Sequence, residues 1–541
     1  MSRLVALLAL ASLALATFAS FPALRGGRVY DDVALPAGPL VDELADLGRT
    51  FWLTSFDYRA AVESNPLDVS GVTYRPVSQA SLILTAHLGG GMRAHHLTSL
   101  ALHALTALLV GVAILRAKKP VWLALLGAGI VVAHPATIEA YAWVAGRADL
   151  VAGLCLVIVA VAIPAKLERV QPLGLVVGAV ALVAGTLAKE TFVLLGPIVA
   201  TRGLWAHGST RNGRIAALLV ALTPAISLAL MWTRIHQETV VIPDSADLLV
   251  WLRRAPRVIG DATVTWLLPY RRAMRTLAFE AYSPVGATTI LGCGAFGVAF
   301  AASLSEKKFG LALVLVGNAA TLIVSSHVAD HFWLGFDRFL YAPLVALVVT
   351  AAESWETAPS ALPRPAAFGL VVGVVVLAGI AHLSARAYSS QEAFVAALMR
   401  DRPNDPSGQF LESRRYAREN DLIEALVVLE DAKPTTSPAL ERERAVRQFV
   451  TGHQELTSET MRRIETARPF EPMVAADALT VAIAKRHFFE IPSLAETANG
   501  RIAARRVACL ALKSKRRRAA FEPEVDETGW YEQSYLITEE I

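Results

Sequence analysis

The sequence predicts an all-α, polytopic membrane helix bundle followed by a smaller helical domain. Three observations carry that prediction. Hydrophobic residues make up 54% of the 541 and mean hydropathy is +0.46, while charged residues are 18%, below the roughly 25% of soluble domains. A soluble fold has no place for that much apolar surface. The apolar residues fall in runs close to the ~20 residues a helix needs to cross a bilayer core. After Leu383 the composition turns polar, charged and helix-periodic.

Each element follows from its own stretch. Leu4–Leu24 is an uncharged run behind Arg3. Its length favours a retained signal anchor, and the small residues of "LATFAS" also permit a cleaved signal peptide. Further spans are expected near His96–Leu115, Val121–Ala142, Leu150–Pro164, Pro172–Ala188, Phe192–Trp205, Arg214–Thr233, Val285–Ser303, Phe309–Ser326, Phe339–Ala352 and Ala367–Leu383, about 11 spans in all. The stretch Arg234–Pro284 resists this pattern. It holds Arg253, Arg254, Arg257, Arg271, Arg272 and Arg275 with Trp251 and Trp266, which points to helices lying in the membrane interface or to a half-span. The expected domains are 1–384, with a first external loop at 25–94, and 385–541. In the second, "PNDPSGQFLESRRYARENDLIEALVVLEDAKP" reads as one helical hairpin of tetratricopeptide (TPR) style, and a solenoid needs about three. "KSKRRR" reads as a solvated helix face.

Charge sets the direction of the spans. "RAKK" (Arg116–Lys119), "AKLER" (Ala165–Arg169), Arg202 with Arg211 and Arg214, and "EKK" (Glu306–Lys308) fall in alternate connections. The positive-inside rule makes those cytoplasmic. The N-terminus is then inside, and the first loop and the C-terminal domain are extracytoplasmic. The formal charge of +4 gives no argument for nucleic acid. Cys155, Cys293 and Cys509 are far apart and form neither a disulfide framework nor a zinc spacing.

On this map the unusual polar residues converge on the outer end of the bundle. Asp31 and Asp32 follow the first span, and "YRPVS" with Tyr74 and Arg75 closes the first loop. His134, Pro135 and Glu139 lie in the outer half of the third span, and Arg147 and Asp149 lie in the turn "GRADL". Lys189 and Glu190 end the fifth span, and "HVADH" and "DRFLY", with Asp337 and Arg338, fall on the same side. A charge in mid-membrane costs about 2.5–3.5 kcal/mol, so it faces a cavity and a partner. Singly, each residue has a plainer reading. A lone Arg at a span end snorkels. His95, His96 and His103 decorate a helix without a nearby carboxylate, and "HVADH" is a capped loop. Pro135 kinks its span, and adjacent aspartates suit a turn. Together they describe a polar cavity opening outward, suited to a substrate with a lipid tail and a phosphate head. No clean ligand set indicates a divalent metal.

The order "YDD", "FWLTSFDY", "YRPVSQASLIL", "AHPATIEAYAWVAGRADLVAG", "LAKE" and "DRFLYAPL" resembles the transmembrane and TPR-containing O-mannosyltransferases and their bacterial relatives. These belong to the C-type (GT-C) glycosyltransferase superfamily. The resemblance implies a GT-C-like bundle in a bacterial inner membrane. It implies a polyprenyl-phosphate-linked sugar as donor, a protein or glycan acceptor, and a protein partner for the C-terminal domain. It carries the catalytic role onto Asp31 and Asp32, without saying which is the base. The chemistry fits the residues. A carboxylate takes the acceptor hydroxyl's proton, its acidic neighbour raises its pKa, and Arg75, Arg147 and Lys189 stabilise the leaving phosphate. Displacement at one carbon predicts inversion. His134 and Glu139 are expected to shape the cavity or hold Arg147, Asp149 to pair with Arg147, and Asp337 and Arg338 to close the far wall beyond Glu190. A transporter, with inverted repeats and mid-bilayer charges, or a lipid-binding scaffold is the alternative.

Overall fold

The computed structural model describes residues 2–26, 47, 75–89, 91–164, 171–205, 210–235, 245–269, 286–332 and 337–401, with short pieces at 408–409, 412–413, 415–416 and 427–429. Asp31, Asp32, Tyr74, Arg271, Arg272, Arg275, the "KSKRRR" run and nearly all of the TPR-style hairpin lie outside the described residues. The regular elements among the described residues are helices, with no strand.

The helices are α1 (Ser2–Leu24), α2 (Pro76–His87), α3 (Gly91–Arg116), α4 (Val121–Ala133), α5 (Ile138–Ala142), α6 (Arg147–Ala162), α7 (Pro172–Ala188) and α8 (Phe192–Thr201). Then come α9 (Arg211–Ala221), α10 (Pro224–Ile235), α11 (Ser245–Leu267), α12 (Ala287–Ser305), α13 (Phe309–Phe332), α14 (Tyr341–Ser354), α15 (Arg364–Ala385) and α16 (Gln391–Asp401). Gly91–Arg116, Val144–Ala162, Arg211–Ala229 and Arg364–Tyr388 are long and apolar enough to cross a membrane, and the bent pair Val121–Ala133 with Pro135–Ala142 makes a fifth if it is one span. Leu8–Leu24, Pro172–Ala188, Phe192–Leu204, Thr289–Ser305 and Phe309–Ser325 are shorter apolar helices. Valines 371, 372, 375 and 376 of α15 are exposed, as a lipid-facing stripe would be.

Three expected elements change. The span Val121–Ala142 is broken. Pro135 keeps His134 out of the helical region (ψ 126°), and the chain bends by 54° before α5. The "HVADH" stretch is not a loop, because α13 runs on to Phe332. The arginine-rich stretch forms α11, which packs on α12 and α13. A Cβ at Gly292 would lie 1.9 Å from the Gly260 carbonyl oxygen, so only glycine allows that crossing. The Thr289 hydroxyl donates to Asp261 Oδ1 (2.8 Å) beside it.

At the centre is α6, which packs on α3, α7, α8 and α14. Gly153 leaves room for the Tyr341 ring, whose Cε1 would sit 2.4 Å from an added Cβ. The Tyr341 hydroxyl bonds His103 Nδ1 (2.9 Å), and the imidazole stacks on Tyr141. His103 is therefore a core histidine and does not merely decorate its helix.

The chain divides into two compact units, Met1–Ser55 with Val72–Ala397, and Phe56–Gly71 with Leu398–Ile541. The bundle above is the first. In the second, Arg415 pairs with Glu412 one helical turn earlier (2.7 Å).

Candidate functional site

The bend between α4 and α6 builds one wall of the candidate site. His134 caps the turn, its Nδ1 accepting from the Ala136 N–H (3.1 Å) while Nε2 meets the Trp266 carbonyl (3.2 Å). His134 therefore shapes the wall by ending α4, and its contacts tie it to α11. Glu139 on α5 is 1% exposed. Its Oε2 accepts the backbone N–H of Asp337 (3.1 Å), and Oε1 has no hydrogen-bond partner.

The turn after α7 builds the facing wall. Lys189 leaves the helix in an extended conformation (φ −151°), and the Phe192 N–H closes the turn on its carbonyl (3.0 Å). The turn sends Lys189 and Glu190 to different partners. Glu190 takes a fork from Arg75, Nε to Oε2 at 2.7 Å and Nη2 to Oε1 at 2.5 Å. Pro76 at the first position of α2 fixes where Arg75 stands. Burial pushes the Glu190 carboxyl up, but Arg75's charge and hydrogen bonds, with Lys189 behind, pull it down to about 2. Lys189 Nζ meets Asp149 Oδ2 at 3.4 Å and lies over the Phe339 ring, 4.5 Å from its centroid. Burial, then the like charge of Arg75, lowers its amine to about 8 against the pull of Asp149 and Glu190.

Phe339 joins the two walls. The Arg338 guanidinium lies 5.1 Å from its centroid and 4.4 Å from that of Trp143. Two cations thus share one aromatic ring, a geometry worth about 0.5–2 kcal/mol each. Arg338 Nε is buried without an acceptor among the described residues. Behind Phe339, Asp149, Lys189, Thr191, Thr321 and Ser325 line a crevice with room for about one water. Gly26, just past α1, packs against the Tyr388 carbonyl, and the Tyr388 phenol feels the charges of Glu139, Asp337 and Arg338. Gly26 therefore lies beside this cluster.

The arrangement gathers Arg75, His134, Glu139, Asp149, Lys189, Glu190, Asp337 and Arg338, and it corrects two expectations. Arg147 is fully buried and does not reach a phosphate. It donates to Thr85 Oγ1 (2.9 Å), the His95 carbonyl (2.7 Å), the Ser81 carbonyl (3.3 Å) and Ser99 Oγ, pinning α2 and α3 to α6. Asp149 pairs with Lys189, 40 residues away, where a bond to its neighbour Arg147 was expected. Sequence reasoning missed Trp143 and Phe339, although both lie inside motifs it singled out. It also missed Thr321 and Ser325, which sit inside an apolar run and give no signal of their own. No family model, curated protein or solved structure matches the chain.

Proposed function

We propose that the chain is a membrane glycosyltransferase. It moves a sugar from a polyprenyl-phosphate carrier to an acceptor hydroxyl at the bundle end that holds Lys189 and Arg338, on the extracytoplasmic face. One observation supports this reading above the others: a guanidinium clamped by two aromatic rings, with no acceptor for its Nε among the described residues, beside a lysine on the same ring. A buried donor left unpaired is costly, and a phosphate oxygen is the acceptor it lacks. Arg75 spends Nε and Nη2 on Glu190, and among the described residues its Nη1 has no acceptor. The order of the sequence motifs adds to the reading.

In the proposed reaction the acceptor oxygen forms its bond to the anomeric carbon as the carbon–phosphate oxygen bond breaks. The acceptor's proton goes to Asp31 or Asp32, and polyprenyl phosphate leaves with the bonding pair. Arg338 and Lys189 hold the charge that grows on that phosphate, where a low dielectric strengthens them. One displacement inverts the anomeric centre. The acceptor is a protein or glycan, and the C-terminal domain binds a protein partner.

The test is reconstitution with a polyprenyl-phosphate sugar and an acceptor. The parent forms a glycosylated product, and Asp31→Asn or Asp32→Asn lowers its turnover by about 10²-fold or more. Full turnover in both variants would remove the assigned base. The break at His134–Pro135, with buried Glu139 beyond it, favours a second reading, because transporters place ligands at such breaks. Flux across the bilayer without product would select it.

A further inference from the structure

Helical serines and threonines in this chain often bond their own backbone, and among the described residues the hydroxyls of Thr321, Ser325 and Thr350 are buried without doing so. The hydroxyls of Thr106, Thr186, Thr201, Ser303 and Ser384 each donate to the carbonyl four residues back, at 2.7–3.0 Å. Thr321 and Ser325 on α13 have the same option, and their oxygens have no hydrogen-bond partner among the described residues. They are 4% and 1% exposed. Both residues line the crevice behind Phe339. Buried hydroxyls rarely stay unsatisfied, least of all in an apolar bundle.

Their register is fixed. Asn318, on the same face of α13, donates through Nδ2 to the Pro343 carbonyl (3.0 Å), and Pro343 forms part of the crevice wall. Asp149 and Lys189 stand in that wall too, in an ion pair of 3.4 Å that is looser than the Arg75–Glu190 fork. The crevice therefore offers a carboxylate acceptor, an ammonium donor and two hydroxyls that do either, under an aromatic ring. A phosphate does not fit that mixture, because Asp149 would repel it. A group that both donates and accepts does fit, and the room is that of about one oxygen.

We infer that this crevice is a hydroxyl-reading subsite, in which Thr321, Ser325 and Asp149 take one hydroxyl of the donor's sugar. The inference rests on the proposed glycosyl transfer and deepens it, dividing the site into a phosphate side at Arg338 and a sugar side at Thr321 and Ser325. The same atoms would hold water when no sugar is present, so the test must separate the two sources.

The experiment measures equilibrium binding to the full chain in nanodiscs. The probes are undecaprenyl phosphate bearing mannose or glucose, the monodeoxy analogues of each, and bare undecaprenyl phosphate. The parent should bind a sugar-bearing carrier more tightly than the bare one, and one deoxy analogue should lose about tenfold. Thr321→Val with Ser325→Ala should cause that same loss on the full sugar, add nothing to the deoxy loss, and leave bare-carrier affinity unchanged. Thr321→Ser should restore most of it. If every deoxy analogue binds the parent like its full sugar, the crevice holds only water and the inference is wrong. That arm needs no variant to fold. If neither the bare nor the sugar-bearing carrier binds, the glycosyl-transfer reading itself falls, and the subsite falls with it.

Discussion

Two arginine–glutamate pairs stand at opposite ends of α6, and they are built differently. Arg202 and Glu353 are 1% and 3% exposed, with Nε to Oε2 at 2.6 Å and Nη2 to Oε1 at 2.8 Å. The remaining guanidinium protons go to the carbonyls of Ile163, Val199 and Ala160, so Arg202 also ties off the C-terminal ends of α6 and α8. About 16–17 Å away along α6, beyond Asp149, Arg75 and Glu190 are 20% and 30% exposed, and among the described residues the Arg75 Nη1 has no acceptor. At one end every guanidinium donor of Arg202 is satisfied by the fold. The other holds a partly used Arg75 and, among the described residues, an Arg338 Nε without an acceptor and two hydroxyls without partners. Complete satisfaction marks a structural staple, and its lack at the opposite end marks a place for a guest.

The contrast is open to attack from either side. The largest effect belongs to the closed end. Arg202→Leu leaves Glu353 buried and unpaired, and should destabilise the bundle by about 3–5 kcal/mol. Thermal unfolding in detergent would read this, and an unchanged melting temperature would refute the staple. Next comes Arg338→Ala, which should weaken the carrier by about ten- to a hundredfold while the melting temperature falls far less than in Arg202→Leu. If it melts as early as Arg202→Leu, Arg338 belongs with the staple.

A smaller effect is expected from pH. With its amine lowered to about 8, Lys189 is charged below that value and neutral above it. Carrier affinity should fall as pH rises from about 7 to about 9, and Lys189→Arg should flatten the profile, because guanidinium stays charged. A flat parent profile would take Lys189 off the phosphate. The smallest effect concerns Glu190, whose ionisation falls from 4.5 to about 2 on folding. A depressed carboxylate adds stability that is present above the unfolded value and is lost as pH falls from 4.5 towards 2. Glu190→Gln should remove that acid limb. The pair is partly exposed and screened, so about 1 kcal/mol or less is at stake. A parent and variant with matching acid limbs would show that the Arg75 fork contributes no stability.

Much of the site was legible in residues that an apolar chain has no other reason to carry. "LAKE" and "DRFLY" delivered Lys189 and Arg338, and Pro135 announced the break in its span. Other roles were hidden. Arg147 looked like a loop residue at a membrane surface, but α2 and α3 close over it. Thr321 and Ser325 looked like ordinary small residues in a span, because what sets them apart is the crevice they line, and that depends on what α13 packs against. The arginines of α11 drew an interfacial reading, while Gly260 and Gly292 carried the packing.

The sequence by itself determined the helical class, the apolar runs and which residues bear charge. Those follow from hydropathy and backbone chemistry, which act over one or two turns. Only the tertiary structure decided that Lys189 meets Asp149, that Arg75 meets Glu190, and that Arg147 and Arg202 are sealed while Arg338 is not. Such pairs join positions 40 to 151 residues apart. Their partners are chosen by how helices pack, a choice that no short stretch of sequence contains.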